Sequence, residues 1–398
     1  MSHDLLLRDV RPMGGAAVDL LIRDGRIAEI GAAIEAPGTL VEDGSGAIAI
    51  PGLVEAHTHL DKNLLGLPWQ PNSAGPTIQD MIDNERKLKR EIDMAPGRQS
   101  ARQVVLSIAN GSTHIRSHVD VDTKHGLWGI EGVMETRERY RDWIDIELVV
   151  FPQSGMLKRP GTVELMEEAL RLGAEVVGGI DPCTMDKDPK GHVDTVFGLA
   201  QSFGRPVDIH LHEPNELGLF SMGLILDRTR ALGMAGKVTI SHAFCLGMND
   251  WLVVGRMLDD LAAAGIALMT TAPSGWPAPP VKRAHAAGIT ICSGSDGIRD
   301  LWHPYGNADM LDRARHVGER NGLDKDHEVE LALEICTGGG ARVMALPNYG
   351  LEVGRDADLV LIRARNVPEA VVLCPPRQLV VKRGKVVARD GHALCEAP

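Results

Sequence analysis

Ile48-Ala49-Ile50-Pro51-Gly52-Leu53-Val54-Glu55-Ala56-His57-Thr58-His59 is the stretch on which the reading of this chain turns. A short apolar run ends in two histidines two residues apart. On an extended strand, residues i and i+2 project to one face. Both imidazoles can therefore reach one ion, and neutral imidazole suits zinc and ferrous iron. A His-x-His pair by itself is as much at home on a surface or in a satisfied core. The rest of the chain decides between these readings.

Working outward, eight segments read as strands: Gly52–His59, Ser112–Val121, Ile144–Gln153, Ala174–Asp181, Pro206–Glu213, Lys237–Ala243, Gly265–Pro273 and Gly288–Asp296. Helical patterns lie between most of them, as in Val163–Leu172, Val193–Phe203, Asp250–Ala264 and Val281–Ala287. Eightfold strand–helix alternation predicts an α/β chain built as a (β/α)8 TIM barrel. A doubly wound sheet would want a glycine-rich phosphate turn after an early strand. Neither GxGxxG nor GxxxxGK[ST] is in place. Gly338-Gly339-Gly340 comes late and reads as a helix start.

The two ends have a different texture. Leu5-Leu6-Leu7, Val18–Ile22 and Arg26–Ile30 are short strands broken by Asp24-Gly25 and Gly31. Ala357–Ile362, Gln378–Val381 and Gly384–Ala388 repeat that pattern near the end. The expectation is a small β-sandwich domain formed by both termini, residues 1–51 and 347–398, around a barrel of residues 52–346.

A barrel of this type carries its active site at the C-terminal ends of the strands. Those ends hold His57 and His59, then His118, Asp120 and Asp122, then Gln153, Asp181, His210 with His212 and Glu213, His242 and Asp296. Polar loops explain the aspartates and the glutamine cheaply. They explain histidines on strands one, two, five and six poorly. In Val207-Asp208-Ile209-His210-Leu211-His212 the apolar side chains would face the helices and the polar ones the barrel interior. The following His212-Glu213-Pro214-Asn215-Glu216 is no zincin helix, because Pro214 interrupts it and the last residue is not histidine.

Composition excludes several function classes. The 398 residues carry 42 basic and 54 acidic side chains, a formal net charge of -12. That balance offers no basic footprint for nucleic acid or for an anionic membrane surface. No apolar run is long enough to span a bilayer, and Met1-Ser2-His3-Asp4 lacks a signal peptide's basic and apolar regions. Six scattered cysteines without a CxxC pair read as reduced, structural thiols, so a cytoplasmic location is expected.

At this point the chain resembles the amidohydrolase superfamily, and within it the cytosine deaminase and N-isopropylammelide amidohydrolase branch. The pieces that carry the resemblance run from end to end. They begin with Pro51–Lys62, Ser117-His118-Val119-Asp120-Val121-Asp122, Phe151-Pro152-Gln153-Ser154-Gly155 and Val177–Pro182. They continue through His210-x-His212-Glu213, Ser241-His242-Ala243, Gly294-Ser295-Asp296, Ile298–Trp302 and Tyr305-Gly306-Asn307 to Tyr349–Gly354 and Ala357–Val360.

The resemblance implies one divalent metal ion per chain, zinc or iron, ligated by His57, His59, His210 and Asp296. Two-metal relatives carry a bridging lysine at the end of strand four, where this chain has Asp181. It further implies that a metal-activated hydroxide attacks the amine-bearing carbon of a nitrogen heterocycle. Glu213 would be the proton shuttle, and His242 and Asp296 would hold the nucleophile. Gln153, Trp302, Asp181 and Lys62 would face the substrate, with His118 in support. The expected activity is that of a metal-dependent hydrolytic deaminase of an aminopyrimidine or aminotriazine. An amidohydrolase acting on an N-substituted aminotriazine or a cyclic amide is the alternative, and a non-catalytic metal-binding scaffold a remote one. The expected partners are a small heterocyclic substrate and, by the family's habit, further copies of the chain. One departure stands out. Cytosine deaminases place a second acid directly after the metal-binding aspartate, and this chain has Gly297. The expectation is a pocket without that acidic wall, roomier for a substituted ring and poor for cytosine.

Overall fold

A computed structural model of the chain describes residues 4–398; Met1, Ser2 and His3, on which part of the signal-peptide reading falls, lie outside the described residues. Eight parallel strands form one sheet in chain order: Leu53–Thr58, Ser112–Asp120, Asp145–Phe151, Val176–Ile180, Val207–His210, Val238–Ser241, Ile266–Thr270 and Ile291–Ser293. All eight predicted strands are present. Outward-facing Ile115, Val119, Val150, Val177, Ile209 and Ile240 pack with the surrounding helices into one large core. Helices stand where the pattern placed them, at Thr162–Leu172, Pro189–Phe203, Trp251–Ala263 and Val281–Ala286. The glycine triplet does open a helix, Gly338–Val343.

The sheet closes between its first and last strands. Asp296 N–H donates to the His57 carbonyl at 2.9 Å, and Thr58 bridges Asp296 in parallel fashion. A Cβ at Gly294 would sit 2.2 Å from the His57 carbonyl oxygen and 2.6 Å from its nitrogen. Only glycine lets the eighth strand come this close. Four strand ends then turn through left-handed backbone at non-glycine residues: Asp181 (φ 38), His242 (φ 70), Ala272 (φ 46) and Asp296 (φ 61). Such conformations cost about 1–3 kcal/mol each and persist where surrounding structure enforces them.

Both termini build a second sheet of nine strands, separate from the barrel. Leu5–Pro12 pairs with Val18–Arg23, with Leu40–Asp43 and, at its end, with Ile48–Pro51. Ile48–Pro51 in turn runs antiparallel to Leu359–Ile362, which leads on to Arg377–Lys382 and Lys385–Arg389. The sheet is thus continuous across both ends of the chain. Its inner side chains, among them Leu5, Leu20, Ile22, Leu359 and Val381, share one core. Asp24-Gly25 turns the second hairpin, Val18–Arg23 to Arg26–Gly31, with positive φ at both residues, 48 and 76, as a two-residue loop between right-twisted strands requires.

A buried ion cluster fastens this sheet to the barrel. Lys382 Nζ lies 2.7 Å from Asp358 and 2.8 Å from Asp145 on the third barrel strand, with His114 of the second at 3.3 Å. Burial would raise the Asp145 carboxyl, but hydrogen bonding from His114 and the Lys382 charge hold it below the usual carboxylate range. Its folded-state value is depressed, so its contribution is present above the ordinary carboxylate range and is lost as pH falls toward the folded value. Lys382→Ala strands buried Asp358 without its ammonium. We expect a stability loss of about 3–5 kcal/mol, read as a lower denaturant midpoint at neutral pH.

Candidate active site

The polar interior begins below the pocket. Arg116, fully buried on the second strand, pairs with Asp208 at 3.2 Å and donates to the Val343 carbonyl at 3.1 Å. Burial pushes the Asp208 carboxyl up to about 6 against the pull of Arg116. Ser241 Oγ donates to Asp208 Oδ1 at 2.6 Å and stands 3.2 Å from His57 Nδ1. A serine hydroxyl has one hydrogen. With that hydrogen on Asp208, Ser241 can only accept from His57, so His57 carries its proton on Nδ1. The Nε2 lone pair is left facing the mouth of the barrel, the orientation that a partner behind a ligating histidine enforces.

Around that nitrogen the donors of His57, His210, His242 and Asp296 all lie within 4.8 Å of one another. His59 Nε2 is 3.2 Å and His57 Nε2 3.8 Å from Asp296 Oδ1. Bonds of about 2.0–2.1 Å in a tetrahedral shell put neighbouring donors roughly 3.3 Å apart, so this spacing fits a ligand set. His57 Nε2 and both ring nitrogens of His210 and His242 are buried without a hydrogen-bond partner. Burial lowers His57 and His210 well below the ordinary imidazole value, and burial together with the neighbouring His212 lowers His242 to about 3. Neutral imidazoles with unused lone pairs are what a divalent ion needs. The donor set fits the group the sequence implied, with His242 standing among the four and His59 against the carboxylate.

Over this set lies a pocket walled by Lys62, Phe151, Gln153, His212, Gly297, Asp300, Trp302 and His303. His210 stacks on Phe151 with ring centroids 4.2 Å apart. His212 stacks on His242 at 4.3 Å. The His212 Nδ1 meets Asp181 Oδ2 at 2.8 Å, and burial is outweighed by this carboxylate, so the imidazole is raised above its usual value.

The structure brings Lys62, Gln153 and Trp302 into the wall. It places two other residues differently. Asp181 spends its oxygens on the strand-five end, accepting from the backbone of His212 at 2.6 Å and of Glu213 at 3.2 Å. Glu213 does not line the pocket; it accepts from Thr184 N–H at 2.6 Å and from the Ser221 hydroxyl. His118 lies against His57, ring centroids 4.0 Å apart, with neither nitrogen hydrogen-bonded and Nε2 3.6 Å from Asp208 Oδ2.

Two residues escaped the sequence reading. Glu85, buried on the helix Ile78–Glu91, holds Lys62 at 3.3 Å and the Trp302 indole N–H at 2.6 Å. Burial alone would raise its carboxyl, but Lys62 and Lys89 bring it below the ordinary value. Lys62 is likewise kept cationic by Glu85, Asp300 and Asp61 against burial. The second residue is Asp300. A Cβ on Gly297 would lie 1.9 Å from Asp300 Oδ2, and Asp300 is anchored through Oδ1 by the Trp302 and His303 N–H groups at 2.8 and 2.9 Å. The expected gap beside Asp296 is therefore not a gap. A carboxylate from three residues further on fills it, and Gly297 is what makes room.

With fold and site in place, the comparisons define the class. The amidohydrolase family model matches residues 40–388, and the chain belongs to that family. It is a hydrolase of carbon–nitrogen bonds other than peptide bonds. The chain is 32% identical to N-isopropylammelide isopropyl amidohydrolase of a Pseudomonas species (strain ADP), covering 98% of each. It superposes on the crystal structure of N-isopropylammelide isopropylaminohydrolase from Burkholderia multivorans with TM-score 0.95 and 47% identity, covering 98% of this chain and 100% of the other. A 5-methylcytosine deaminase from Klebsiella pneumoniae, liganded with 5-fluorocytosine, matches at TM-score 0.88 and 28% identity over 96% and 97%. Among the described residues no helix is long and apolar enough to cross a membrane, and all six cysteines are free.

Two outcomes test this geometry. His57→Ala, His210→Ala and Asp296→Ala should each deplete bound metal in elemental analysis of purified protein; full retention in all three would place the ion elsewhere. Gly297→Asp should collide with Asp300. We expect lower thermal stability, by about 1–3 kcal/mol, and reduced activity on every substrate, with no gain toward cytosine.

Proposed function

We propose that this protein hydrolyses the exocyclic carbon–nitrogen bond of an aminotriazine or aminopyrimidine, with an N-alkylated aminotriazine as the preferred substrate. The supporting observation is the pocket's composition. Side chains suited to one flat amide-like ring, Gln153 and Trp302, stand in the same wall as His210 and Asp296. The relatives named for N-isopropylammelide, at 32% and 47% identity, weigh toward an alkylamine leaving group. The deaminase likeness keeps ammonia release as the second reading.

On this reading the hydrolytic unit is residues 52–346, and His57, His59, His210 and Asp296 hold one zinc or iron ion. The ion supplies an activated water when bound. The water oxygen bonds to the ring carbon, the carbon–nitrogen bond breaks, and the amine departs with a proton. His242, whose donor lies within 4.8 Å of those of His57, His210 and Asp296, would orient that water. His212, backed by Asp181 and facing the pocket, delivers a proton to the ring and the leaving amine. Glu213 steadies the strand-five end through Thr184 and Ser221 and takes the shuttle role only if it turns inward. Trp302 covers a ring face.

Metal-loaded protein should release isopropylamine from N-isopropylammelide faster than ammonia from cytosine, measured by amine chromatography and an ammonia assay. A wide preference for cytosine would overturn the substrate assignment. His212→Asn should cost on the order of 10²–10⁴-fold in kcat with metal content retained. Glu213→Gln should cost less; the reverse order returns the shuttle to Glu213.

A further inference from the structure

Apart from histidine nitrogens, the buried atom in the pocket wall without a hydrogen-bond partner is the amide nitrogen Nε2 of Gln153. The other end of that amide is fixed. Lys62 Nζ lies 2.6 Å from Oε1. An ammonium has three donors and no acceptor, so only the carbonyl oxygen can face it. Lys62 is held in turn by Glu85 Oε2, the oxygen that also accepts from Trp302. Behind Glu85, Lys89 lies 3.9 Å from Oε1 and 2.7 Å from Asp61. Glu85 itself is outside the pocket wall.

Along the edge formed by Lys62, Gln153 and the Trp302 indole the count of donors and acceptors is one-sided, and the Asp300 carboxylate stands apart from it beside Gly297. Lys62 gives one hydrogen to Gln153 and one to Glu85, leaving a third. Gln153 Oε1 is turned onto Lys62, which takes one of its two lone pairs and fixes the direction of the amide. Even with one amide hydrogen drawn toward Glu85, a second remains. The Trp302 N–H is spent on Glu85. What this edge offers a bound ring is donors.

We propose that Glu85 is a positioning residue which, through Lys62, locks the Gln153 amide so that the pocket selects a ring presenting an acceptor at that edge, a carbonyl oxygen or an unprotonated ring nitrogen. The inference rests on the reading of the pocket as one that hydrolyses a heterocycle's carbon–nitrogen bond. A ring with an amino group or N–H there faces donor with donor. Buried mismatches of this kind cost on the order of tenfold to several hundredfold in affinity or kcat/KM.

The test compares N-isopropylammelide with the analogue in which one ring oxo group is replaced by amino, on zinc-loaded enzyme. Both turnover and calorimetric binding are read. Wild type should favour the oxo compound at least about tenfold. Glu85→Gln and Lys62→Met free the amide to rotate, so the preference should shrink toward unity, mainly through KM, with metal content retained. Glu85→Asp should recover part of it. Gln153→Glu keeps the Lys62 pair but installs an acceptor, and the preference should reverse toward the amino compound. This variant also decides the matter if Glu85→Gln does not fold. A preference unchanged across these variants, or equal binding of both compounds by wild type, overturns the proposal. Failure of the hydrolase reading is distinct: metal-loaded wild type would then neither bind nor turn over either compound.

Discussion

One contact holds the rest of the molecule in place: the hydrogen bond from Asp296 N–H to the His57 carbonyl, at 2.9 Å, that closes the barrel. It joins the first strand to the last. His57 and His59 stand on one side of it and Asp296 on the other, some 240 residues later in the chain. The close approach is possible only because Gly294 has no side chain to strike the His57 backbone. Thr58 Oγ1 adds a second tie to the Asp296 carbonyl at 2.8 Å, and Gln103 steadies that hydroxyl at 2.8 Å. The ligand set is thus a product of closure, and anything that loosens the seam loosens the site.

The interior below the seam departs from the usual aliphatic filling of such barrels. Arg116, Asp208 and Ser241 occupy positions where branched apolar residues would pack. Buried ion pairs seldom add net stability. Here the observable return is orientation: the chain from Arg116 to Ser241 fixes which nitrogen of His57 carries its proton. Lys62, Glu85, Lys89 and Asp61 form a comparable buried group, reaching the pocket wall at Lys62. Both groups place charge under strict geometric control beside a pocket whose own side chains are few.

Much of this was legible in the residues, for a physical reason. Parallel strands are buried on both faces, so they stand out as apolar runs, and polar side chains at their ends are conspicuous. Glu85 and Lys89 were not legible. Within Asn84-Glu85-Arg86-Lys87-Leu88-Lys89-Arg90, an i,i+4 acid–base pair reads as a solvated helix face. Only the fold shows that this face turns inward onto Lys62 and Asp61. Gly297 misled because a missing side chain was taken for empty space. The Asp300 turn that fills the space depends on backbone N–H groups, which leave no trace in composition. Alternation along Val207–His212 puts His212 on the interior face with His210, and it does line the pocket; the shuttle role of the adjacent Glu213 came from the family resemblance.

The pairing of Ile48–Pro51 with Leu359–Ile362 carries a consequence for how the molecule is made. The first fifty residues leave the ribosome early, yet one edge of their sheet stays unpaired until the last tenth of the chain has been synthesised. Closing a loop of some three hundred residues is entropically costly and slow. For that interval the nascent chain presents an open β-edge, a template for pairing with another copy. The exposed Leu40–Asp43 strand beside it ends in Glu42 and Asp43, two charges that discourage such pairing. The terminal sheet is therefore completed only when strands from both ends of the chain have met.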